Sequence, residues 1–449
     1  MRLYISIFVG KFLIKFIELL RKFKIIKYNA SVFPGSVAKK ICPDILNNIT
    51  YPKTTIFVTG STGKGSTTKM ITKVLLDNGY TVTTNYKGSN LVNAFITMLI
   101  NDSSINGKLK TDYIVYEVDE RYLKLITKYI KPDYLVINNI TRDQPPRNTS
   151  FEFVFNEIKK GIYKNMHLIV NADDPLTKSF ELYHKGKITY YGIEKNFMST
   201  DKEIDYTKDN LYCPNCNSKL KFNYYHYGSV GDYKCNNCGY KRENVSYDIT
   251  NIDKKKMTIT INNKDEINIT NYILFNLYNI ITVYSVCDLL KIDGNKIIDS
   301  LNNLGIDNKI YEEIIIKDRK YITLNCKAEN NATYNLALLY TSLSNEKKTI
   351  VLGLNEISRR YNYFDLSWLY DISFELLNDK SVDKIICAGP YKYDIALRMK
   401  YAGIDEKKLI IKDNLDNIKN DLKNTKGDVY AILNFDYIEP FKNKIRGDK

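Results

Sequence analysis

At 449 residues the chain exceeds one ordinary hydrophobic core, so two or three domains are expected. A hydrophobic content of 44% with 26% charged residues excludes a disordered polypeptide. The net charge of +15 admits nucleic acid, an anionic membrane surface or a polyphosphate substrate as partners. The basic residues are scattered among acids, which does not favour nucleic acid.

Residues 3–20 are mostly apolar, and Lys11, Lys15, Glu18 and Lys22 interrupt them at helical spacing as one polar stripe. Two lysines inside the stretch argue against a spanning helix, and no small-residue cleavage site follows. The segment reads as an amphipathic helix with basic ends. Two partners fit its wide apolar face equally: an anionic membrane surface, or the chain's own first domain.

Thr54-Thr55-Ile56-Phe57-Val58 reads as a buried strand, and Lys69-Met70-Ile71-Thr72-Lys73-Val74-Leu75-Leu76 as helix. Between them lies Thr59-Gly60-Ser61-Thr62-Gly63-Lys64-Gly65-Ser66-Thr67-Thr68. Strand, glycine-rich turn, Lys and Ser/Thr, then helix is the context of a phosphate-cradling loop. Gly60, Gly63 and Gly65 let the backbone wrap a phosphate. Lys64 would reach the β- and γ-phosphates of ATP, and Ser66 or Thr67 could ligate Mg²⁺. The loop is shorter than usual, and Gly65 stands where a hydroxyl normally follows the lysine.

Three further runs read as apolar strands that pass into polar residues: Thr111–Glu120, ending in acids, Pro132–Gln144, and His167–Pro175 with Asn171-Ala172-Asp173-Asp174. Behind a phosphate loop, such ends suggest a nucleotide and metal site at the carboxyl edge of a parallel sheet. Glu117 is the candidate Mg²⁺ ligand. Cys213, Cys216, Cys235 and Cys238 form two CxxC knuckles, with spacing for four thiolates around a structural Zn²⁺. The alternative is a pair of disulfides. Cys42, Cys287, Cys326 and Cys387 are isolated among apolar residues and read as buried thiols.

The order of these motifs resembles the Mur ligase superfamily, and within it the MurT-like subunits of the enzyme that amidates the glutamate of the lipid II stem peptide. The resemblance rests on Pro34–Ile41, the GKGSTT loop, Glu117-Val118-Asp119-Glu120, Arg142-Asp143-Gln144, Asn171–Pro175 and a zinc ribbon inserted in the ATPase domain. Asn276-Leu277-Tyr278-Asn279 resembles the superfamily's asparagine motif near the adenine. Leu352–Asn355, Asp365-Leu366-Ser367-Trp368, Phe374-Glu375, Asp394–Arg398 and Tyr401-Ala402-Gly403 resemble the MurT C-terminal domain. The chain departs from the pattern at Asp143-Gln144-Pro145-Pro146-Arg147, at Lys327–Asn335 and at Asn434–Tyr437. These departures fall where nucleotide or acceptor would bind.

The resemblance implies an α/β architecture. A basic N-terminal segment would cover 1–45. A P-loop ATPase domain would cover 46–300, with the zinc ribbon at 205–245. A smaller Rossmann-like domain would cover 305–449. It implies ATP-dependent activation of a carboxylate as an acyl phosphate, which ammonia then attacks. Lys64 and Glu117 would act at the phosphates and Mg²⁺, Asn279 at the adenine, and Asn171, Asp173 and Asp174 around the nucleotide. The three histidines offer no convincing glutaminase pair, so a separate GatD-like glutaminase subunit would supply ammonia. Asp365, or failing it Asp371, would support that partner's active site by orienting an imidazole. Asp365 reads equally as a helix N-cap.

The expected acceptor is a lipid-linked or nucleotide-linked wall precursor. The expected location is the cytoplasm, at the inner membrane face if the N-terminal helix touches lipid. A Mur- or folylpolyglutamate-type ligase adding an amino acid to a wall precursor, pseudomurein included, is the alternative. A zinc-ribbon nucleic-acid binder would leave the phosphate loop unexplained.

Overall fold

We describe a computed structural model covering residues 1–26, 31–85, 90–143, 150–202, 210–304, 310–354 and 365–447. Residues 144–147 of the Asp143 run, Asn355, and the expected boundaries at 205 and 305 lie outside the described residues. Two sheets carry the chain, and both are mainly parallel with an antiparallel edge.

In chain order the first strands are β1 (Thr54–Thr59), β2 (Val82–Thr84), β3 (Tyr113–Glu117), β4 (Tyr134–Ile137), β5 (His167–Asn171) and β6 (Ile188–Ile193). The hairpin β7 (Lys221–Tyr227) and β8 (Val230–Lys234) stands apart as its own two-stranded sheet. Then come β9 (Tyr247–Asp253), β10 (Thr258–Ile261) and β11 (Asp265–Asn268). The main sheet runs β11-β10-β9-β6-β5-β4-β1-β3-β2. Strands β2 through β9 in it are parallel, and β9, β10 and β11 pair antiparallel.

β1 shows why this sheet is buried on both faces. Ile56 and Val58 pack with Ile71, Val74 and Leu75 on one side. Phe57 points to the other side, among Phe95, Tyr116 and Leu135. A strand covered on both faces reads as a continuous apolar run instead of alternating with polar residues. The helix Leu274–Leu289 is buried on nearly every side and lies behind the helix Lys64–Asp77. An all-round apolar helix belongs in a core.

The second sheet uses β12 (Tyr311–Ile316), β13 (Arg319–Cys326), β14 (Lys348–Gly353), β15 (Val382–Ala388), β16 (Leu409–Lys412) and β17 (Asp428–Asn434). Its order is β12-β13-β17-β14-β15-β16. Only β12 is antiparallel to its neighbour. One hydrophobic cluster runs from Ile56 in the first sheet to Ile432 in the second, so the sheets share packed helices.

The N-terminal helix Arg2–Lys22 packs Ser6, Ile7, Gly10 and Ile14 against the chain. Its neighbours are the helices Phe33–Ile41 and Val92–Asp102. Lys11 Nζ donates to Asn101 O at 2.7 Å. The chain's own first sheet region therefore covers one face of this helix. Among the described residues, no helix is long and apolar enough to cross a membrane.

Candidate active site

β1 lies at the switch point of the first sheet, with β3 on one side and β4 on the other. Parallel register aligns Val58 with Glu117 and Thr59 with Ile137. The carboxyl ends of three strands thus meet at one edge, where open α/β sheets bind ligands. The turn after β1 is clamped there: Asn139 O accepts from Ser61 N at 2.9 Å, and Asn139 Oδ1 from Thr62 N at 3.0 Å.

Two glycines are required in this turn. Gly60 has φ +126° and Gly63 has φ +78°, a region that side chains avoid. A Cβ on Gly63 would lie 2.5 Å from Asn279 Oδ1. The helix Lys64–Asp77 starts directly from this left-handed Gly63, so its N-terminus opens onto the site.

Lys64 is buried and folded over the turn. Its Nζ donates to Gly60 O and, at 2.8 Å, to Glu120 Oε1. Burial opposes the ammonium charge, but Glu120, Glu117 and Asp143 outweigh it and hold the pKa above the usual lysine value. Glu120 is a site residue that sequence reasoning quoted without a role. Its signal was its place three residues beyond the strand-end Glu117.

A cavity of about 340 Å³ lies above the turn. Ser61, Gly63, Lys64, Gly65, Glu117 and Asn279 form its floor. Leu324, Cys326, Lys327, Thr333 and Phe435 come from the second-sheet side. Its size falls in the range of small-molecule sites. A Cβ on Gly65 would lie 3.2 Å from Glu117 Oε2, so this carboxylate covers the position where a hydroxyl normally follows the lysine.

The remaining candidates divide. Thr67 turns inward: its hydroxyl donates to Asn279 Oδ1 at 3.2 Å and accepts from Asn138 Nδ2 at 2.9 Å. Ser66 is half-buried, and from the first helical turn the described cavity wall takes Lys64 and Gly65. Asn279 stands against Gly63 and Thr67, at the phosphate loop itself, and its buried Nδ2 has no hydrogen-bond partner among the described residues.

Asn171 lines a small closed gap next to Asn138 and Asn279. Asp173 is fully buried and accepts from Arg242 Nε at 2.6 Å, Tyr278 OH at 2.8 Å and Ile193 N at 2.8 Å. Asp174 caps the short helix Pro175–Lys178, and burial pushes its carboxyl up to about 6. Neither acid is among the described residues lining the nucleotide-sized cavity. Asp173 instead ties the sheet to the cysteine hairpin, its backbone O accepting from Gly231 N at 2.9 Å.

That hairpin rests on the loop after β5. Tyr233 OH donates to Ala172 O at 3.0 Å, and Tyr240 OH to Pro175 O at 2.7 Å. The sulfurs of Cys213, Cys216, Cys235 and Cys238 all lie within 4.8 Å of one another. Cys213 and Cys238 are 3.5 Å apart, and Cys216 and Cys235 are 3.4 Å apart. Disulfide sulfurs sit at about 2 Å, so these thiols are free. A tetrahedron of thiolates around zinc has edges of about 3.8 Å, which the cluster nearly matches. The four residues fit a closed structural site. Cys42, Cys287, Cys326 and Cys387 are buried and free.

The second sheet reaches the turn through the run after β13. Lys327 Nζ donates to Ser61 O at 3.1 Å and pairs with Asp143. Asn330 Nδ2 donates to Asp143 Oδ1 at 3.1 Å. Glu329 between them is buried, takes φ +55° and has an Oε1 with no hydrogen-bond partner among the described residues. Burial, with Asp143 and Asp365 nearby and Lys327 opposing, pushes its carboxyl up to about 7. In the sequence Lys327 and Asn330 stand out only as part of the departure at Lys327–Asn335. Asp365 Oδ1 accepts from Ser367 N at 2.8 Å in a turn that leads into the short helix Ser367–Asp371, whose N-cap position is Leu366 and not the expected Asp365. Asp371 pairs with Arg142 at 3.1 Å, across the two sheets. Neither Asp365 nor Asp371 is among the described cavity-lining residues.

The model of the Mur ligase middle domain matches residues 58–281, and that of the MurT ligase C-terminal region matches residues 328–437. The chain has a Mur-ligase fold: it superposes with a TM-score of 0.67 on a pseudomurein peptide ligase type C from Methanothermus fervidus, 24% identical, over 90% of this chain and 80% of that one. MurF from Acinetobacter baumannii gives a TM-score of 0.61 at 14% identity, over 91% and 80%. The chain belongs to the Mur ligase superfamily. Its similarity to the lipid II isoglutaminyl synthase (glutamine-hydrolyzing) subunit MurT of Staphylococcus aureus strain COL is 28% identity over 414 residues, 92% of each chain. MurT of Streptococcus pneumoniae is 26% identical over 403 residues, 88% of this chain and 87% of that one. Within the superfamily the chain is a divergent MurT-like member.

Proposed function

We propose that this chain is the synthetase subunit of a glutamine-dependent amidating enzyme. Its substrate is a glutamate carboxylate in a cell-wall precursor stem peptide. The observation that carries the reading is the likeness to MurT along 92% of both chains. The cavity over the Gly60–Lys64 turn supports it with suitable chemistry.

ATP and Mg²⁺ fit the residues present: a glycine turn, a buried lysine, strand-end carboxylates and an Asn279 Nδ2 with no hydrogen-bond partner among the described residues. Lys64 would turn from Glu120 to the β- and γ-phosphates. Glu117, with Ser66 or a water, would hold Mg²⁺. Lys327, which already reaches Ser61 from the second sheet, would neutralise charge at the γ-phosphate.

A carboxylate oxygen would bond to the γ-phosphorus of ATP as the bond to the β-phosphate oxygen breaks, giving an acyl phosphate with ADP as the leaving group. Ammonia attacks the carbonyl carbon, phosphate leaves with the C–O bond electrons, and a carboxamide remains. The chain's part is to position the reactants and neutralise charge. Ammonia comes from glutamine hydrolysed by a GatD-like glutaminase partner, whose histidine Asp365 orients. Asp371 is the second choice. Zn²⁺ at the four cysteines is structural.

The test is product analysis with the chain, a GatD-like glutaminase, Mg-ATP, glutamine and a glutamate-containing precursor. A carboxamide formed with one ADP per product is expected. Gain of a whole amino-acid residue, or product without ATP cleavage, would overturn the reading.

A further inference from the structure

The helix Arg2–Lys22 has two apolar faces. One is docked through Ser6, Ile7, Gly10 and Ile14. The other carries Ile5, Phe8, Phe12, Phe16, Leu19 and, at the C-cap, Phe23. Their spacing of three or four residues places them on one stripe. Phe8 is 64% exposed, Phe12 61% and Phe23 66%. Phe12 and Phe16 stack with ring centroids 6.0 Å apart.

A contiguous exposed apolar stripe of this length marks a contact surface. Charge selects the occupant. Residues 1–24 hold Arg2, Lys11, Lys15, Arg21, Lys22 and Lys24 against one acid, Glu18. By helical angle Lys15 and Lys22 border the aromatic stripe along one edge. Basic residues beside an aromatic face suit an anionic bilayer surface, where rings enter the headgroup boundary and ammonium groups meet phosphates. A second copy of the helix would bring like charges together.

We propose that the helix Arg2–Lys22 is an interfacial anchor, lying flat on an anionic lipid surface through its aromatic stripe while its opposite face stays locked to the chain. The docked face makes the anchor rigid, so lipid contact orients the whole catalytic body. The anchor is independent of the reaction proposed above, and no nucleotide, precursor or glutaminase is needed to see it.

Vesicle co-sedimentation of the full chain tests this. Vesicles of equimolar phosphatidylcholine and phosphatidylglycerol should retain the chain, and added salt or phosphatidylcholine alone should weaken retention. The variant Phe8→Ser/Phe12→Ser/Phe16→Ser should bind roughly tenfold or more weakly, from loss of apolar insertion, with an unchanged melting temperature. Lys15→Glu/Lys22→Glu should lose the preference for anionic vesicles. No retention of the wild type, equal retention of the triple variant, or a dimer that the triple variant abolishes without vesicle binding would overturn the proposal.

Discussion

The floor of the cavity and its roof hold their residues in different ways. The centre of the floor is a single stretch, Gly60–Gly65, fixed by left-handed glycines, by Asn139 and by the buried Lys64–Glu120 pair, and Glu117 and Asn279 complete it from elsewhere in the chain. The roof comes from the second sheet and touches the floor through Lys327, with Asn330–Asp143 and the half-exposed Arg142–Asp371 pair joining the two sheets beside it. Buried, over-determined contacts make a rigid cradle. A few polar contacts across two sheets are cheaper to rearrange, as substrate entry requires.

The sharpest way to break this contrast is in the floor. Lys64→Met should lower turnover by about 10²-fold or more. It should also cost about 3 kcal/mol of stability, because Glu120 is left buried without its partner. Lys64→Met/Glu120→Gln should recover most of the stability in urea unfolding but none of the turnover. A double variant that recovered turnover would place the lysine's role in folding alone.

On the roof side, Asp365→Asn should reduce glutamine-dependent activity by about 10²-fold and leave activity with free ammonium salts near wild type. Equal loss with both nitrogen sources would reduce Asp365 to the turn cap it makes with Ser367. Lys327→Ala should have a smaller effect, about 10-fold on turnover, by loosening the roof over the turn. Steady-state kinetics with saturating ATP would measure it.

The smallest effect concerns pH. Glu329 titrates near 7 in the folded chain, above the ordinary glutamate value. The folded state therefore holds this proton more tightly than the unfolded state. Stability from this site falls as pH rises from the ordinary carboxylate range through about 7, and stays low above it. Glu329→Gln should be more stable than wild type at about pH 8 and nearly equal to it at about pH 4. Urea midpoints at both values would show the difference, and a constant gap would contradict the assignment.

The floor was legible in the sequence because it is local. A strand, a glycine turn, a lysine and a helix follow one another within Thr54–Asp77. The four cysteines were legible for the same reason, since CxxC fixes two ligands at a time. The roof was not. Lys327 meets Ser61 across more than two hundred residues, and nothing in the local pattern announces that contact.

Strand-end acids were also ambiguous. Glu117 and Asp173 both follow apolar strands, yet one faces the cavity and the other is taken up by Arg242 and Tyr278. Only the distant partners distinguish them. The same holds for Thr67, whose hydroxyl is claimed by Asn138 and Asn279. For the N-terminal helix, the sequence could not choose between lipid and protein. The structure gives one face to protein and leaves a second face open.

Calorimetric titration of the purified chain with Mg-ATP tests the central claim most directly. The account predicts saturable binding at one site, lost in Lys64→Met/Glu120→Gln while the fold persists. No heat of binding in the wild type, alone or with its glutaminase partner, or undiminished binding in the double variant, would contradict it.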